Sequence, residues 1–97
     1  MSDYKESPFR GVGFKIALVD DHTLFRSGLA SLLSEFEELE IVFEATNGAD
    51  LQSKIKKHED VQLILMDINM PVMDGFATTK WMKENYPKVY ILALSMF

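Results

Sequence analysis

The stretch LILMDINMPVMDG, residues Leu63 to Gly75, joins an apolar segment to a polar loop. Four apolar residues run without interruption into Asp67, and an asparagine, a proline and an Asp-Gly pair follow at once. An apolar run of this length that ends in turn-forming residues is typical of a strand whose two faces are both covered. The pattern therefore predicts a buried strand that delivers the Asp67 carboxylate to a loop at the edge of a sheet.

Strands and helices alternate on both sides of this stretch. Strands are predicted in KIALVDD, LEIVFEAT, VQLILMD and VYILALS, and helices in HTLFRSGLASLLSEF and over Ala49–His58 and Phe76–Asn85. Strands that alternate with helices pair in parallel, because each return to the same edge of the sheet needs a crossover. The chain is thus predicted to form a doubly wound parallel α/β sheet, in which ligands bind beyond the carboxyl ends of the strands.

Two of the predicted helices carry apolar residues at positions suited to packing. The helix predicted over Phe76–Asn85 carries Phe76, Trp81 and Met82. The first has an apolar stripe at helical spacing, which is formed by Leu24, Phe25, Leu29, Leu32, Leu33 and Phe36.

Length and composition are those of one small globular domain. The chain has 97 residues, of which 47% are hydrophobic and 26% charged, and a chain of this size buries only about 60–65% of the surface that its unfolded form exposes. The formal net charge of -5, with no cluster of Lys and Arg, argues against nucleic-acid binding. The sequence has no cysteine, which excludes disulfides, thiolate nucleophiles and zinc ribbons.

Residues 1–14 are predicted to form an N-terminal tail, and residues 15–97 a single domain without an internal repeat or linker. The tail mixes charged residues with Pro and Gly and lacks the apolar run of a signal peptide. No stretch of the sequence reaches the roughly 18 apolar residues that a membrane span needs. We therefore expect a cytoplasmic protein that does not bind membranes.

Three aspartates are predicted to meet at one edge of the sheet. Asp20 and Asp21 end the first strand, and Asp67 ends the third. If these strands are neighbours, about 4.8 Å apart, the carboxylates would raise one another's pKa unless a positive charge intervened. A divalent ion with oxygen ligands removes this repulsion, and Mg²⁺ needs few protein ligands because it keeps several waters. The sequence therefore predicts a site for Mg²⁺, or for Mn²⁺, at this edge.

Each of these residues also has a simpler interpretation. Asp21 could cap the helix that begins near Thr23, and a single Asp at a strand end is more often a turn former than a nucleophile. His22 could be a metal ligand, but we expect it to face solvent at the helix start, and His58 suits the dipole of a helix end. The coincidence of three carboxylates at one edge favours the metal site.

The quoted residues resemble the receiver domain of bacterial two-component response regulators. VDDH, LILMDINMPVMDG and LALS match, in order and spacing, that family's acidic pair, phosphoacceptor segment and switch position. The run DDHTLFRSGLASLL is similar to regulators whose output domain is a LuxR- or NarL-type helix-turn-helix. The resemblance covers Lys15 to Phe97 and implies a flavodoxin-like fold and the control of transcription through an output domain.

The resemblance implies a role for each matching residue. Asp67 would be the nucleophile that takes a phosphoryl group from the phosphohistidine of a histidine kinase, or from acetyl phosphate. Asp20 and Asp21 would hold Mg²⁺ together with Asp67, and the main-chain carbonyl of Asn69 would be a further ligand. Ser95, at the end of the fourth strand, would be the switch hydroxyl, whereas without the resemblance it would be a capping or solvent-exposed serine.

The sequence departs from the family pattern at its C-terminal end. The resemblance implies that the chain stops after the fourth strand, without the last helix-strand-helix part and without the lysine that pairs with the phosphoryl group. Lys15 and Lys88 begin their strands, so they lie at the opposite edge and cannot replace it. Residues Val89 to Phe97 would form an exposed apolar edge, through which we expect a homo-oligomer.

Three functional hypotheses follow from these observations. The first is a phosphoaccepting receiver, which performs at most self-catalysed phosphotransfer and autodephosphorylation and is not a multiple-turnover enzyme. The second is a truncated, non-phosphorylated receiver that acts as a dimerisation or partner-binding module. The third, a phosphatase that turns over through an aspartyl phosphate, is disfavoured, because Asn69 stands where its usual second Asp would act as acid and base.

Overall fold

The structure, a computed structural model, describes residues 13–67 and 75–94. Strands and helices alternate within these ranges in the predicted order, and their ends differ from the predicted ones by no more than three residues. The elements are β1 Phe14–Val19, α1 Thr23–Leu33, β2 Leu39–Ala45, α2 Gly48–Ile55, β3 Leu63–Asp67, α3 Gly75–Asn85 and β4 Tyr90–Leu94. Among the described helices, none has the length and hydropathy that a membrane crossing requires.

The four strands form one parallel sheet in the order β2-β1-β3-β4. The two central strands, β1 and β3, are the ones that carry the predicted site aspartates at or just beyond their ends. A register shift between Ile16 and Ala17 leaves Val42 of β2 without a partner in β1, as in a β-bulge. The predicted parallel α/β fold is confirmed.

The hydrophobic core lies between the sheet and the helices α2 and α3. Strand residues on this face include Ala17, Val19, Ile64 and Met66, and they pack in one cluster with Leu51 and Ile55 of α2 and Met82 of α3. The ring of Trp81 packs against the edge of this cluster, with its centroid 5.7 Å from that of Tyr86. The predicted packing roles of Trp81 and Met82 are confirmed, but Phe76 is 73% exposed, so the prediction for that residue is wrong.

The opposite face of the sheet is covered only in part. Because side chains alternate along a strand, Ile16 and Leu18 point to this face, and both are buried. Helix α1 contacts β1 and β2, yet none of its residues is buried. Leu24 at 88% and Leu32 at 56% are the most exposed of its apolar side chains. The apolar stripe of α1 therefore exists as predicted but remains largely in contact with solvent.

Helix α2 begins with a reciprocal pair of capping contacts. The Asn47 side chain accepts a hydrogen bond from the N–H of Asp50 at 2.8 Å, and the Asp50 carboxylate accepts one from the N–H of Thr46 at 3.0 Å. These contacts satisfy amides that a helix start would otherwise leave without a partner. The Asn-Gly pair that marks a turn in the sequence thus fixes where α2 begins.

Candidate functional site

The register of the sheet brings two of the predicted site residues side by side. Val19 of β1 pairs with Met66 of β3, so the residues that follow them, Asp20 and Asp67, are neighbours at the carboxyl edge. Both side chains are almost completely buried, Asp20 at 5% and Asp67 at 3% exposure. The two carboxylates therefore lie close together and are largely shielded from bulk water.

Asp21 and His22 complete the cluster. One ligand atom from each of Asp20, Asp21, His22 and Asp67 can be chosen so that all of them lie within 4.8 Å of one another. The structure thus brings together the three aspartates that the sequence singles out. It adds a histidine, for which the sequence predicts a position facing solvent.

A turn made by Asp20 shapes the loop that carries the cluster. Its Oδ1 atom accepts a hydrogen bond from the main-chain N–H of His22 at 2.7 Å, an arrangement typical of an aspartate two residues before its donor. His22 is the N-cap residue of α1, and no side chain caps that helix. The alternative interpretation of Asp21 as a helix cap is therefore wrong, which leaves its carboxylate available to a ligand.

One side of the His22 imidazole faces solvent, and the other side faces the acidic cluster. Its side chain is 61% exposed, but Nδ1 lies 3.3 Å from Asp20 Oδ1, 3.2 Å from Asp21 Oδ1 and 3.8 Å from Asp67 Oδ2. The expectation that His22 faces solvent therefore holds only for one side of the ring. The other side points at the three carboxylates.

Arg26 supports the acidic loop from α1 and was not singled out by the sequence. One guanidinium nitrogen donates a hydrogen bond to the main-chain carbonyl of Asp20, and Nε donates one to Glu44 of β2 at 3.0 Å. A positive side chain in the first turn of a helix opposes the helix dipole. In the run TLFR, an arginine stands where the helix dipole disfavours a positive charge. This unfavourable position is the signal from which a carboxylate partner for Arg26 could have been inferred.

Lys15, the one lysine in the described strands, does not reach the cluster. Lys15 forms ion pairs with Asp60 at 3.1 Å and Glu40 at 3.6 Å, near the amino end of β1. These contacts raise the pKa of Lys15, mainly through the hydrogen bond and charge of Asp60. Its position agrees with the prediction that Lys15 cannot pair with a group bound at the opposite edge.

The cluster fits a divalent cation with oxygen ligands. Oδ1 of Asp21 is buried and has no hydrogen-bond partner, because the nearby Nδ1 of His22 does not meet it in hydrogen-bonding geometry. A buried carboxylate oxygen without a donor is costly unless a cation binds it. Two or three carboxylates at the carboxyl edge of the sheet suit Mg²⁺, which binds a few protein oxygens and several waters.

Some predicted site residues lie outside the described residues. These include Asn69, with the rest of the loop from residue 68 to residue 74, and Ser95. The last described residue of β4, Leu94, pairs with Asp67.

Comparison with protein families gives one match that spans most of the chain. The profile of the family described as "Response regulator receiver domain" matches residues 16–97. The matched range contains all of the predicted site residues.

Curated relatives are regulators of greater length. The transcriptional regulatory protein LnrK of Bacillus subtilis is 42% identical over 83 residues, which are 86% of this chain and 37% of that protein. The response regulator protein VraR of Staphylococcus epidermidis is 36% identical over 86 residues, which are 89% of this chain and 41% of that protein. The chain thus spans about two fifths of the length of these relatives.

Solved structures with the same fold include isolated receiver domains. The receiver domain of NarL from Mycobacterium tuberculosis matches with a TM-score of 0.78 and 31% identity, over 86% of this chain and 66% of that one. The isolated receiver domain of RcsB from Salmonella enterica, solved with the phosphomimetic BeF₃⁻, matches with a TM-score of 0.80 and 25% identity, over 88% and 63%.

Proposed function

This chain belongs to the family of response regulator receiver domains, and on that premise we propose that the Asp67 carboxylate accepts a phosphoryl group in two-component signalling. The observation that carries the proposal is the position of Asp67, buried at the carboxyl end of β3 and side by side with Asp20. A carboxylate held in place beside other acidic oxygens is a suitable nucleophile for a transfer that depends on positioning and charge neutralisation.

The proposed reaction forms one bond and breaks one. A carboxylate oxygen of Asp67 attacks the phosphorus of a phosphohistidine, the phosphorus–nitrogen bond breaks, and the imidazole nitrogen leaves with the bonding electron pair. The product on this chain is an aspartyl phosphate. A kinase histidine is the proposed donor, and acetyl phosphate is a small-molecule alternative. The chain is used once per phosphorylation, so it is a substrate and not a multiple-turnover enzyme.

Mg²⁺ is the proposed cofactor of the transfer, and Mn²⁺ could take its place. Asp20, Asp21 and Asp67 would hold the ion, with the main-chain carbonyl of Asn69 as a further ligand. When bound, the ion neutralises charge on the phosphoryl oxygens. The buried Asp21 oxygen without a hydrogen-bond donor supports this assignment. The role of the chain's own residues is to hold these oxygens together at the end of the sheet.

We further propose that phosphorylation is transmitted to an output function through Ser95. The hydroxyl of Ser95 would donate a hydrogen bond to the phosphoryl group, a proposal supported by the pairing of its neighbour Leu94 with Asp67. LnrK is a transcriptional regulatory protein by name, which supports control of transcription as the output, and the cytoplasm is the proposed location of the chain. This chain itself has no proposed nucleic-acid contact.

The experiment that tests the proposal is phosphorylation with acetyl phosphate and Mg²⁺, followed by the intact mass of the chain. We expect one phosphoryl group, removable by hydroxylamine because it is an acyl phosphate. Asp67→Asn should not be labelled, since an amide is not a nucleophile here. Asp60→Asn is the matched control, because Asp60 pairs with Lys15 at the other end of β1 and should leave labelling unchanged.

Two results would contradict the proposal. One is equal labelling of the Asp67→Asn variant and the wild type, which would place the phosphoryl group elsewhere. The other is the absence of labelling in a wild-type chain whose circular dichroism shows that it is folded.

A further inference from the structure

The imidazole of His22 adds a nitrogen ligand to an otherwise all-oxygen cluster. We propose that His22 binds the divalent ion of this site through Nδ1 and that it gives the site a preference for ions that accept nitrogen ligands, such as Co²⁺, over Mg²⁺. This inference rests on the proposed function, because it concerns the same metal site. It assigns a ligand from α1's N-cap position, next to the acidic pair.

The possible ligand atoms are spaced much as the ligands of a single ion would be. With bonds of about 2.1 Å, adjacent ligands of an octahedral ion lie about 3.0 Å apart, and with bonds of about 2.0 Å those of a tetrahedral ion lie about 3.3 Å apart. Nδ1 of His22 is 3.3 Å from Asp20 Oδ1 and 3.2 Å from Asp21 Oδ1. These distances need little change for the three atoms to share one ion.

The His22 ring is already directed at the site. The main-chain N–H of His22 is held by Asp20 at 2.7 Å, so the imidazole can move only about its two side-chain torsions. A neutral imidazole that binds a metal through Nδ1 carries its proton on Nε2. Because 61% of the side chain is exposed, that N–H can be hydrated, and the hydrogen bond that Nδ1 now makes with Asp20 Oδ1 at 3.3 Å would be replaced by the bond to the ion.

The donor atoms of the site differ in the ions that they favour. Imidazole nitrogen suits Co²⁺, Ni²⁺ and Zn²⁺, whereas Mg²⁺ prefers carboxylate, carbonyl and water oxygens. Mg²⁺ can bind the aspartates and fill its remaining positions with water, so His22 adds little to its affinity. An ion that accepts nitrogen gains a further bond. His22 should therefore change the selectivity of the site more than its ability to hold Mg²⁺.

The test is to titrate the full 97-residue chain at pH 8 with Co²⁺ alone and with Mg²⁺ alone, by calorimetry. The same titrations are made on His22→Ala and His22→Asn. We expect the dissociation constant for Co²⁺ to rise about tenfold or more in both variants. The loss of a residue that only supports a metal ligand already weakens metal binding by about that factor, and the loss of a ligand should cost at least as much. The value for Mg²⁺ should change by less than about threefold.

The visible absorption of bound Co²⁺ gives a second measurement, which a merely structural role of His22 would not move. Replacing a nitrogen donor by water should shift the bands in both His22 variants. The other histidine of the chain supplies the control. His58 packs with its ring centroid 5.2 Å from that of Phe43, beyond the end of α2, so His58→Asn should leave the Co²⁺ affinity and spectrum unchanged.

Each remaining outcome overturns the inference. Unchanged Co²⁺ affinity and spectrum in the His22 variants would show that the imidazole is not a ligand, while Mg²⁺ binding would leave the proposed function intact. Equal losses for both ions would mean that His22 only positions the carboxylates. A folded wild-type chain that binds neither ion would contradict the metal site of the proposed function as well.

Discussion

Arg26 connects three parts of the structure through one guanidinium group. It lies on α1, it donates to the main-chain carbonyl of Asp20 in the acidic loop, and it is paired with Glu44 on β2. Its side chain is only 12% exposed, so these contacts are weakly screened by water. We infer that Arg26 is a positioning residue, which fixes the loop between β1 and α1 without touching a ligand.

Replacing Arg26 should therefore affect both stability and metal binding. Arg26→Ala is expected to lower the free energy of unfolding by about 1–3 kcal/mol, because it leaves a charge-assisted hydrogen bond to a buried carbonyl unmade. The affinity for Mg²⁺ should fall as well, since Asp20 is less well held. Urea unfolding and Mg²⁺ calorimetry are the measurements.

Lys80→Ala is the matched control for the loss of a positive charge, because Lys80 is exposed on α3. If it lowers stability and Mg²⁺ affinity as much as Arg26→Ala does, the loss of net charge is sufficient to account for both effects. The positioning role would then be contradicted.

The sequence identifies the acidic residues of the site better than it identifies the side chains that hold them in place. Asp20, Asp21 and Asp67 follow from their places at strand ends, because the edge of a parallel sheet collects whatever ends its strands. Arg26 and the inward side of His22 depend on the rotation and tilt of α1. Helical spacing alone does not fix that orientation, because no residue of α1 is buried enough to set it.

Helix α2 is the element whose start is best defined. Asn47 caps it, and the Asp50 carboxylate contacts the Thr46 N–H at 3.0 Å and Lys54 at 3.1 Å. Burial on its own would raise the pKa of Asp50, but the hydrogen bond from Thr46 and the contacts with Lys54 outweigh it. The net result is a pKa below the ordinary value of 3.8.

A pKa that is lower in the folded state makes the contribution of Asp50 depend on pH. The stabilisation is complete above the unfolded-state value of 3.8 and is lost as the pH falls through the lower folded-state value. We expect Asp50→Asn to lower the free energy of unfolding by about 1 kcal/mol at pH 7, the usual cost of a lost capping contact. The difference from the wild type should shrink at pH 3. Urea unfolding at the two pH values measures it.

Glu84→Gln provides the control for this prediction, since Glu84 is exposed on α3. It should change stability little at either pH. An Asp50→Asn deficit of the same size at pH 7 and pH 3 would mean that the carboxylate charge has no part in capping α2.

The strands and helices were predictable from sequence because their residue patterns are local. Whether another element buries a given strand or helix depends on distant parts of the chain and was not predictable. Continuous apolar runs predict the strands of the described region. The helical spacing of apolar residues and the positions of turn residues predict its helices. The exposure of Phe76 and of the α1 stripe depends on whether another element lies over them. An apolar stripe predicts a face that can be buried, and it carries no information about what is present to bury it.

Within residues 13–67 and 75–94, the sheet has one well-packed face and one incompletely covered face. On β4, Ile91 packs on the core side, whereas Tyr90 and Leu92 point to the other side and are 75% and 53% exposed. Among the described strands β4 pairs only with β3. Small domains are stable by only about 5–15 kcal/mol, so covering this apolar face would matter to the stability of the 97-residue chain.

We therefore expect the 97-residue chain to self-associate through β4, because pairing there removes apolar surface from water. Sedimentation velocity at tens of micromolar should show a dimer or larger species. The double variant Tyr90→Lys and Leu92→Lys should shift it toward monomer without disturbing the core, because neither side chain belongs to the core cluster.

The paired control is Leu24→Lys, which introduces a charge at an 88% exposed position of α1, away from β4. It should leave self-association through β4 unchanged. A wild-type chain that sediments as a well-folded monomer, with cooperative unfolding, would contradict the prediction.

The place of Trp81 has a consequence for optical spectroscopy. It is the single tryptophan of the chain, six residues along α3 from Gly75 and thus roughly 9 Å from the end of the helix nearest the acidic edge. Its indole lies beside the phenol ring of Tyr86, 5.7 Å between centroids. Excitation of Tyr86 can pass to Trp81 in the folded chain, so tryptophan emission should report on the unfolding of the α3 face and remain nearly silent when an ion binds at the aspartates.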